Sequence, residues 1–281
     1  MTVRDEYLDA PYRSRAAPPG TAPYWSWLFA PAQARAPLLG VYALFAEWRA
    51  LMSPGTDAAV AATKLRWWRE EMGRLARREP LHPIGRYLAA LPRAGAVDFA
   101  PLGAAVEAAA AHAAGVPLER AAELERYADA LWGAPLRVAA RLSAEFSDEA
   151  ALASCTAALG VGEYLARALA DYRHEARSGR LVFAVDDLLS AGIENADLEA
   201  TDPPPRLQQY LSTLKAQAAH CYASALRLPA AQRPAQRGLL VLAALGLRRL
   251  EAGRSPQSDD VRLGDLYLAW RTARRAARAT D

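Results

Sequence analysis

The chain has 281 residues, 52% of them apolar, and a formal net charge of +3. That apolar share is enough for a sizeable core and excludes global disorder, while so small a charge points to no particular partner. The two cysteines, Cys155 and Cys221, lie far apart, which excludes a disulfide framework or zinc spacing and suits a reducing cytosol.

The base is almost all arginine, with lysine only at Lys64 and Lys215; a GC-rich genome explains this as readily as phosphate recognition does. The start, MTVRDEYLDAPYRSR, has no apolar signal core, and no window holds about 18 uninterrupted apolar residues. The expectation is a soluble, cytoplasmic protein, with peripheral contact to the inner membrane left open.

Abundant alanine and few β-branched runs favour helix over strand. Residues 1–20 read as a polar lead-in and 21–281 as one helical domain. From Pro23, YWSWLFAPAQARAPLLGVYALFAEWRALM carries aromatics and leucines at helical spacing. Pro31 and Pro37 are expected to divide it into a short helix, a turn and a longer helix. Pro54-Gly55 ends that unit, and Thr56 or Asp57 caps the next helix, where Leu65, Trp68, Met72 and Leu75 keep the helical period. His82-Pro83 opens another helix, stopping near Pro92. Residues 98–115 are almost all alanine. Pro117 opens LERAAELERYADALWGAPLRVAARLSAEF, which Pro135 should kink. Asp148 caps a helix that reaches Arg177 and leaves through Leu181-Val182-Phe183. Helices around 206–227 and 230–252 follow, parted by Pro229. A break at Ser255-Pro256 precedes a last helix, 261–278. The sum is an all-α domain of roughly eight to ten helices.

Asp171 and Glu175 stand four residues apart, on one helix face. Two such carboxylates can hold one hard cation, Mg²⁺, while Arg177 and Arg180 hold the phosphate it touches. The same pattern also describes a solvated helix end with local ion pairs. His174, between the two carboxylates in sequence, reads as a surface histidine, and Gly160-Val161-Gly162 as a close helix contact. Of Trp67 and Trp68 one is core, and the other lies partly buried or lines a cavity or interface. Arg271, Arg274, Arg275 and Arg278 form a basic stripe after the apolar Leu263, Leu266, Tyr267 and Trp270. It is either a solvated outer face or one that adheres to anionic lipid headgroups. No motif supports nucleic-acid binding.

From Tyr24 to Gly253 the chain resembles the squalene and phytoene synthase family, the head-to-head prenyl transferases. The resemblance rests on Leu39-Gly40-Val41-Tyr42-Ala43-Leu44-Phe45, on KLRWWREEM from Lys64 and on His82-Pro83. It rests too on ELERYADALWG from Glu123, with Ala128 where cysteine is usual, and on Gly162 to Gly192. It implies an isoprenoid-synthase-like helical bundle around a central cavity. There, Mg²⁺ ions bridge two facing aspartate-rich motifs and draw diphosphate from farnesyl or geranylgeranyl diphosphate.

Asp171 and Glu175 match the first and last acids of the second motif, and Arg177, Gly179 and Arg180 its basic tail. Arg167, Ala170 and His174 depart from it. Where the first motif's aspartates are expected stand Arg49, Ala50 and Ser53, and His112 stands where a further aspartate is usual. Glu47 remains, and Asp57 is either a displaced carboxylate or a helix cap. Arginine in a metal cluster repels the ions, which argues against Mg²⁺, and no other cofactor is implied. Tyr42, Arg49, Arg177 and Arg180 are the candidates for contact with a diphosphate, and Asp171 and Glu175 for a metal.

Two functions follow from the resemblance. One is a catalytically impaired member that binds a prenyl diphosphate, an anionic lipid or a protein partner at a membrane, like the family's divergent branch that includes a mitochondrial complex I assembly factor. The other is a working Mg²⁺-dependent prenyl transferase.

Overall fold

The computed structural model describes residues 10–254 and 262–278. Among them there are helices and no strands. The order is α1 (Ala10–Ala16), α2 (Ala22–Phe29), α3 (Ala32–Met52), α4 (Ala58–Ala76), α5 (Pro83–Ala89), α6 (Ala100–Ala113) and α7 (Ala121–Ala128). A π-helical turn (Asp129–Gly133) leads into α8 (Ala134–Ser143). Then come α9 (Glu149–Arg177), α10 (Val185–Ser190), α11 (Asn195–Glu199), α12 (Pro205–Ala225), α13 (Arg233–Glu251) and α14 (Leu263–Ala277). Helices outnumber the expected eight to ten because α1, α5, α10 and α11 are each under eight residues, too short to leave a clear periodic signal. Residues 1–9 of the lead-in and the Ser255-Pro256 break lie outside the described residues.

The local signals act as their chemistry requires. Asp57, rather than Thr56, caps α4 by accepting the Val60 N–H at 2.9 Å; Asp148 caps α9 through the Ala151 N–H at 2.8 Å. His82 caps α5, with Pro83 in its first turn, where no N–H is needed. The division expected at Pro37 does not occur: α3 runs unbroken through it. Pro37 lies near the start of the helix, so only one early backbone bond is lost, and its buried ring packs in the core. Pro135 acts differently. Just before it the bonding slips from i−4 to i−5, with the Ala134 N–H reaching the Asp129 carbonyl, and this makes the π turn.

The 29-residue α9 is the central strut, about 44 Å long at 1.5 Å per residue. It packs on α12, on the π turn and α8, and on α7 and α11. Gly160 permits the closest approach: a Cβ there would meet the Gly133 N at 2.6 Å and the Ala128 carbonyl at 2.9 Å. The alanine-rich α6 lies against α4 with Ala105 and Ala109 fully buried. Trp68 is buried beside Trp48, while Trp67 is partly exposed against His82.

At the far end α13 joins α14, α2 and α12. The join contains a fully buried charge pair. Asp265 Oδ2 accepts from Arg249 Nη2 at 3.1 Å and Arg254 Nη1 at 3.2 Å, and Arg249 also donates to the Gly20 carbonyl at 2.6 Å. Removing one partner of such a pair leaves a desolvated charge behind. Asp265→Ala is therefore expected to cost about 3–5 kcal/mol, read as a lowered melting temperature in thermal denaturation, with α14 protected least in hydrogen exchange.

Candidate active-site cavity

Between α3 and α9 lies a cavity of about 260 Å³. Arg49, Met52, Ser53 and Pro54 form one wall, and Tyr164, Arg167, Ala168, Asp171, His174 and Glu175 another; the π turn adds Leu131 and Trp132, α6 adds His112, and Val182 closes the side. The positions expected to carry the first aspartate-rich motif thus share a cavity with Asp171: Arg49 and Ser53 line it, and Ala50 is exposed outside.

The α9 wall is a row of charge at helical spacing, Glu163, Arg167, Asp171 and Glu175. Glu163 is buried, accepting from Tyr222 Oη at 3.0 Å and Arg167 Nη2 at 3.3 Å. The Arg167 guanidinium lies 4.6 Å over the Trp132 ring, and its Nε and Nη1 are buried without a hydrogen-bond partner.

Glu175 is also buried. Its Oε2 accepts from Arg180 Nε at 2.6 Å, and its Oε1 lies 3.7 Å from His112 Nε2. Burial opposes the charge, but the His112 and Arg180 partners outweigh it and hold the carboxyl below its ordinary 4.5. The backbone delivers Arg180 to this place. α9 ends with Gly179 at φ 74°, the Arg180 N–H bonded to the Glu175 carbonyl and the Gly179 N–H to the Ala176 carbonyl. This Schellman turn folds Arg180 back over the last helical turn.

Asp171 is half-buried and has no ion-pair partner among the described residues within 4.0 Å. Burial raises its pKa, helped by Glu175 and opposed by Arg167 and His174. Across the cavity Arg49 is likewise without a salt bridge, and burial together with Arg167 lowers its pKa to about 10. Further in, a second space of about 30 Å³ is lined by Tyr42, Phe45, Glu163 and Leu242. Arg49, Arg167 and Trp132 line both spaces and so form the partition. Phe45 packs at a tilt on Trp132 with centroids 4.7 Å apart. The aromatic that divides the cavity is Trp132; neither Trp67 nor Trp68 lines it.

The candidate residues therefore separate. Asp171, Glu175 and Arg49 meet at the cavity, and Arg180 reaches it through Glu175. Tyr42 is buried in the inner space with its hydroxyl bonded to Ser26 at 2.7 Å. Arg177 points away, donating to the Glu199 carbonyl at 3.3 Å. His174 is exposed, as a surface histidine should be, yet it lines the cavity. Glu163, Trp132 and Tyr164 were missed. The four-residue spacing from Glu163 through Glu175 was the signal for the first; the other two sit among ordinary apolar neighbours.

A bridged Mg²⁺ cluster does not fit this donor set. One cavity carboxylate, Asp171, is unpaired, Glu175 is held by Arg180 beside His112, and the opposite wall offers a guanidinium. Among the described residues no three His, Cys, Asp or Glu side chains are grouped to hold a metal.

A helical bundle closed around a cavity with an ionic wall defines the all-α isoprenoid-synthase fold. The chain belongs to the squalene/phytoene synthase family, whose family model matches residues 19–276. The structure is similar to that of a dehydrosqualene synthase crystallised in complex with ligand, with TM-score 0.68 and 17% identity over 91% of this chain and 90% of that one. It is also similar to the squalene synthase HpnC from Alicyclobacillus acidocaldarius, with TM-score 0.65 and 19% identity over 81% of this chain and 86% of that one. No curated protein sequence matches the chain.

The Glu175 contact has a signed pH consequence. Because its folded pKa is depressed, its stabilising contribution is present above pH 4.5 and is lost as pH falls through the lower folded value. Glu175→Gln should lower the melting temperature at neutral pH, by about 1.5–3 kcal/mol of stability. The gap to the unmodified protein should close below pH 4.5 in a series of thermal melts.

Proposed function

We propose that this protein is a catalytically impaired squalene/phytoene-synthase-like chain that binds rather than converts. Its ligand is an isoprenoid or other anionic amphiphile, or a protein partner, engaged at a membrane surface. The first aspartate-rich motif has been lost, and likeness to the family's assembly-factor branch belongs to this reading.

The observation that carries it is the charge of the wall facing Asp171, where Arg49 and Ser53 stand and, among the described residues, no carboxylate does. A divalent ion within about 6 Å of a guanidinium is repelled by roughly 5 kcal/mol at an effective dielectric constant of 20. The partition of Trp132, Phe45 and Arg167 supports the reading as well. The 260 Å³ chamber in front of it falls just below the roughly 300–1,000 Å³ of small-molecule sites. That is room for one ligand rather than two prenyl chains side by side.

The alternative is an active prenyl transferase that condenses two allylic diphosphates with Mg²⁺, and the unpaired Asp171 in the shared cavity favours it.

Purified protein given farnesyl or geranylgeranyl diphosphate, Mg²⁺ and NADPH should release no diphosphate and form no squalene- or phytoene-type product. Turnover that disappears in Asp171→Asn would overturn the proposal. The double substitution Arg49→Asp and Ser53→Asp should raise Mg²⁺-dependent affinity for pyrophosphate by at least about tenfold, or about 1.4 kcal/mol, measured by titration calorimetry. No gain in that variant would count against the charge of this wall as the cause.

A further inference from the structure

Helix α14 turns its large apolar side chains outward. Its inward face is small, with Ala269, Ala273 and Ala276 buried and Asp265 tied to the arginines of α13. On the outer face Leu263 is 84% exposed, Tyr267 57%, Trp270 42% and Leu266 36%. These four recur at i, i+3, i+4 and i+7, one stripe on a helix about 22 Å long. Single exposed apolar residues are ordinary; a contiguous stripe ending in Tyr and Trp marks a surface that something covers.

The charge beside the stripe tells what covers it. Arg271, Arg274, Arg275 and Arg278 are exposed on the same helix. Two of them lie over the stripe itself, Arg271 at 5.8 Å from the Tyr267 ring and Arg274 at 5.2 Å from the Trp270 ring. Among the described residues none of the four is within ion-pair distance of a carboxylate. The acid within the helix, Asp265, is fully buried on the opposite side. Behind the helix a groove of about 520 Å³ between α13 and α14 continues the pattern. Leu247 and Leu268 line it with Arg248 and Arg275, and among the described residues Glu251 is its one acid.

We propose that α14 docks the protein on an anionic lipid bilayer. The helix lies in the plane of the surface, with Leu263, Leu266, Tyr267 and Trp270 at the level between headgroups and acyl chains. The arginines of its second half rest on lipid phosphates. Aromatic and leucine side chains flanked by arginine suit that boundary, where one side is apolar and the other wet and negative. A second copy of this chain suits it less, because a two-fold contact would bring the arginine clusters of both copies into one interface with no exposed acid on this helix to offset them. The inference rests on the preceding reading only in placing the protein at a membrane, and it is independent of whether the cavity turns over substrate.

Flotation with phosphatidylcholine vesicles, with and without phosphatidylglycerol, tests it. The full chain should float only with vesicles that contain phosphatidylglycerol, and binding should weaken as salt rises. Arg271→Gln and Arg274→Gln should each lower affinity about fivefold. Tyr267→Ser with Trp270→Ser should abolish binding, while thermal melts of all variants stay close to the unmodified protein. Failure to float, equal binding to both vesicle types, or no response to the arginine substitutions overturns the proposal. A dimer in size-exclusion chromatography that the Tyr267→Ser/Trp270→Ser variant dissolves also overturns it, since the stripe would then face another copy. An active enzyme that floats would overturn the loss of catalysis and leave this docking surface standing; an inactive protein that ignores vesicles would do the reverse.

Discussion

Burying a row of charge inside a helical bundle is the constraint on which this structure turns. Glu163, Arg167, Asp171 and Glu175 follow one another every four residues along α9, on the side that faces the cavity and core. A charge taken out of water without a partner costs several kcal/mol, and Glu163, Arg167 and Glu175 each have an answer from elsewhere in the chain. Tyr222 of α12 serves Glu163, and the Schellman turn brings Arg180 to Glu175 beside His112 of α6. Arg167 is shared between Glu163 and the face of Trp132. The cavity is where this answering stops, at Asp171 and, opposite it, Arg49.

In a metal-dependent cavity the counter-charge is mobile: it arrives with the substrate and departs with the leaving group. In this chain the counter-charges are guanidinium groups of the protein itself. They neutralise carboxylates permanently and cannot travel with a diphosphate. On the proposed reading that exchange leaves a polar, closed pocket and removes the driving force for ionisation. The same family fold then serves recognition, which agrees with the general separation of fold from function.

Much of the architecture was legible because it rests on short-range chemistry. Caps at Asp57, His82 and Asp148 and the breaks at Pro117 and Pro229 are decided within a few residues. What was not legible depends on partners distant in sequence. The continuity of α3 through Pro37 reflects burial of that ring. The role of Trp132 as a partition depends on Phe45 and Arg167, which come from other helices. Arg177 and Arg180 look equivalent in the sequence, three residues apart. The turn at Gly179 sends Arg180 back to Glu175, while Arg177, still on α9, reaches the Glu199 carbonyl. The second half of the site was visible in the spacing of Asp171 and Glu175, but not that one Glu175 oxygen would face Arg180 and the other His112.

The π turn at Asp129–Gly133 sets how this cavity can change over time. Its extra residue relative to ordinary helical bonding is what holds Leu131 and Trp132 together on the cavity side. Loss of a single residue there would restore the common i−4 bonding and leave the turns before and after it in register, so the change would fall on the side chains of the turn itself. Of these, Trp132 stands between the outer and inner spaces. The length of this turn therefore acts first on the partition and leaves the charged row of α9 where it is.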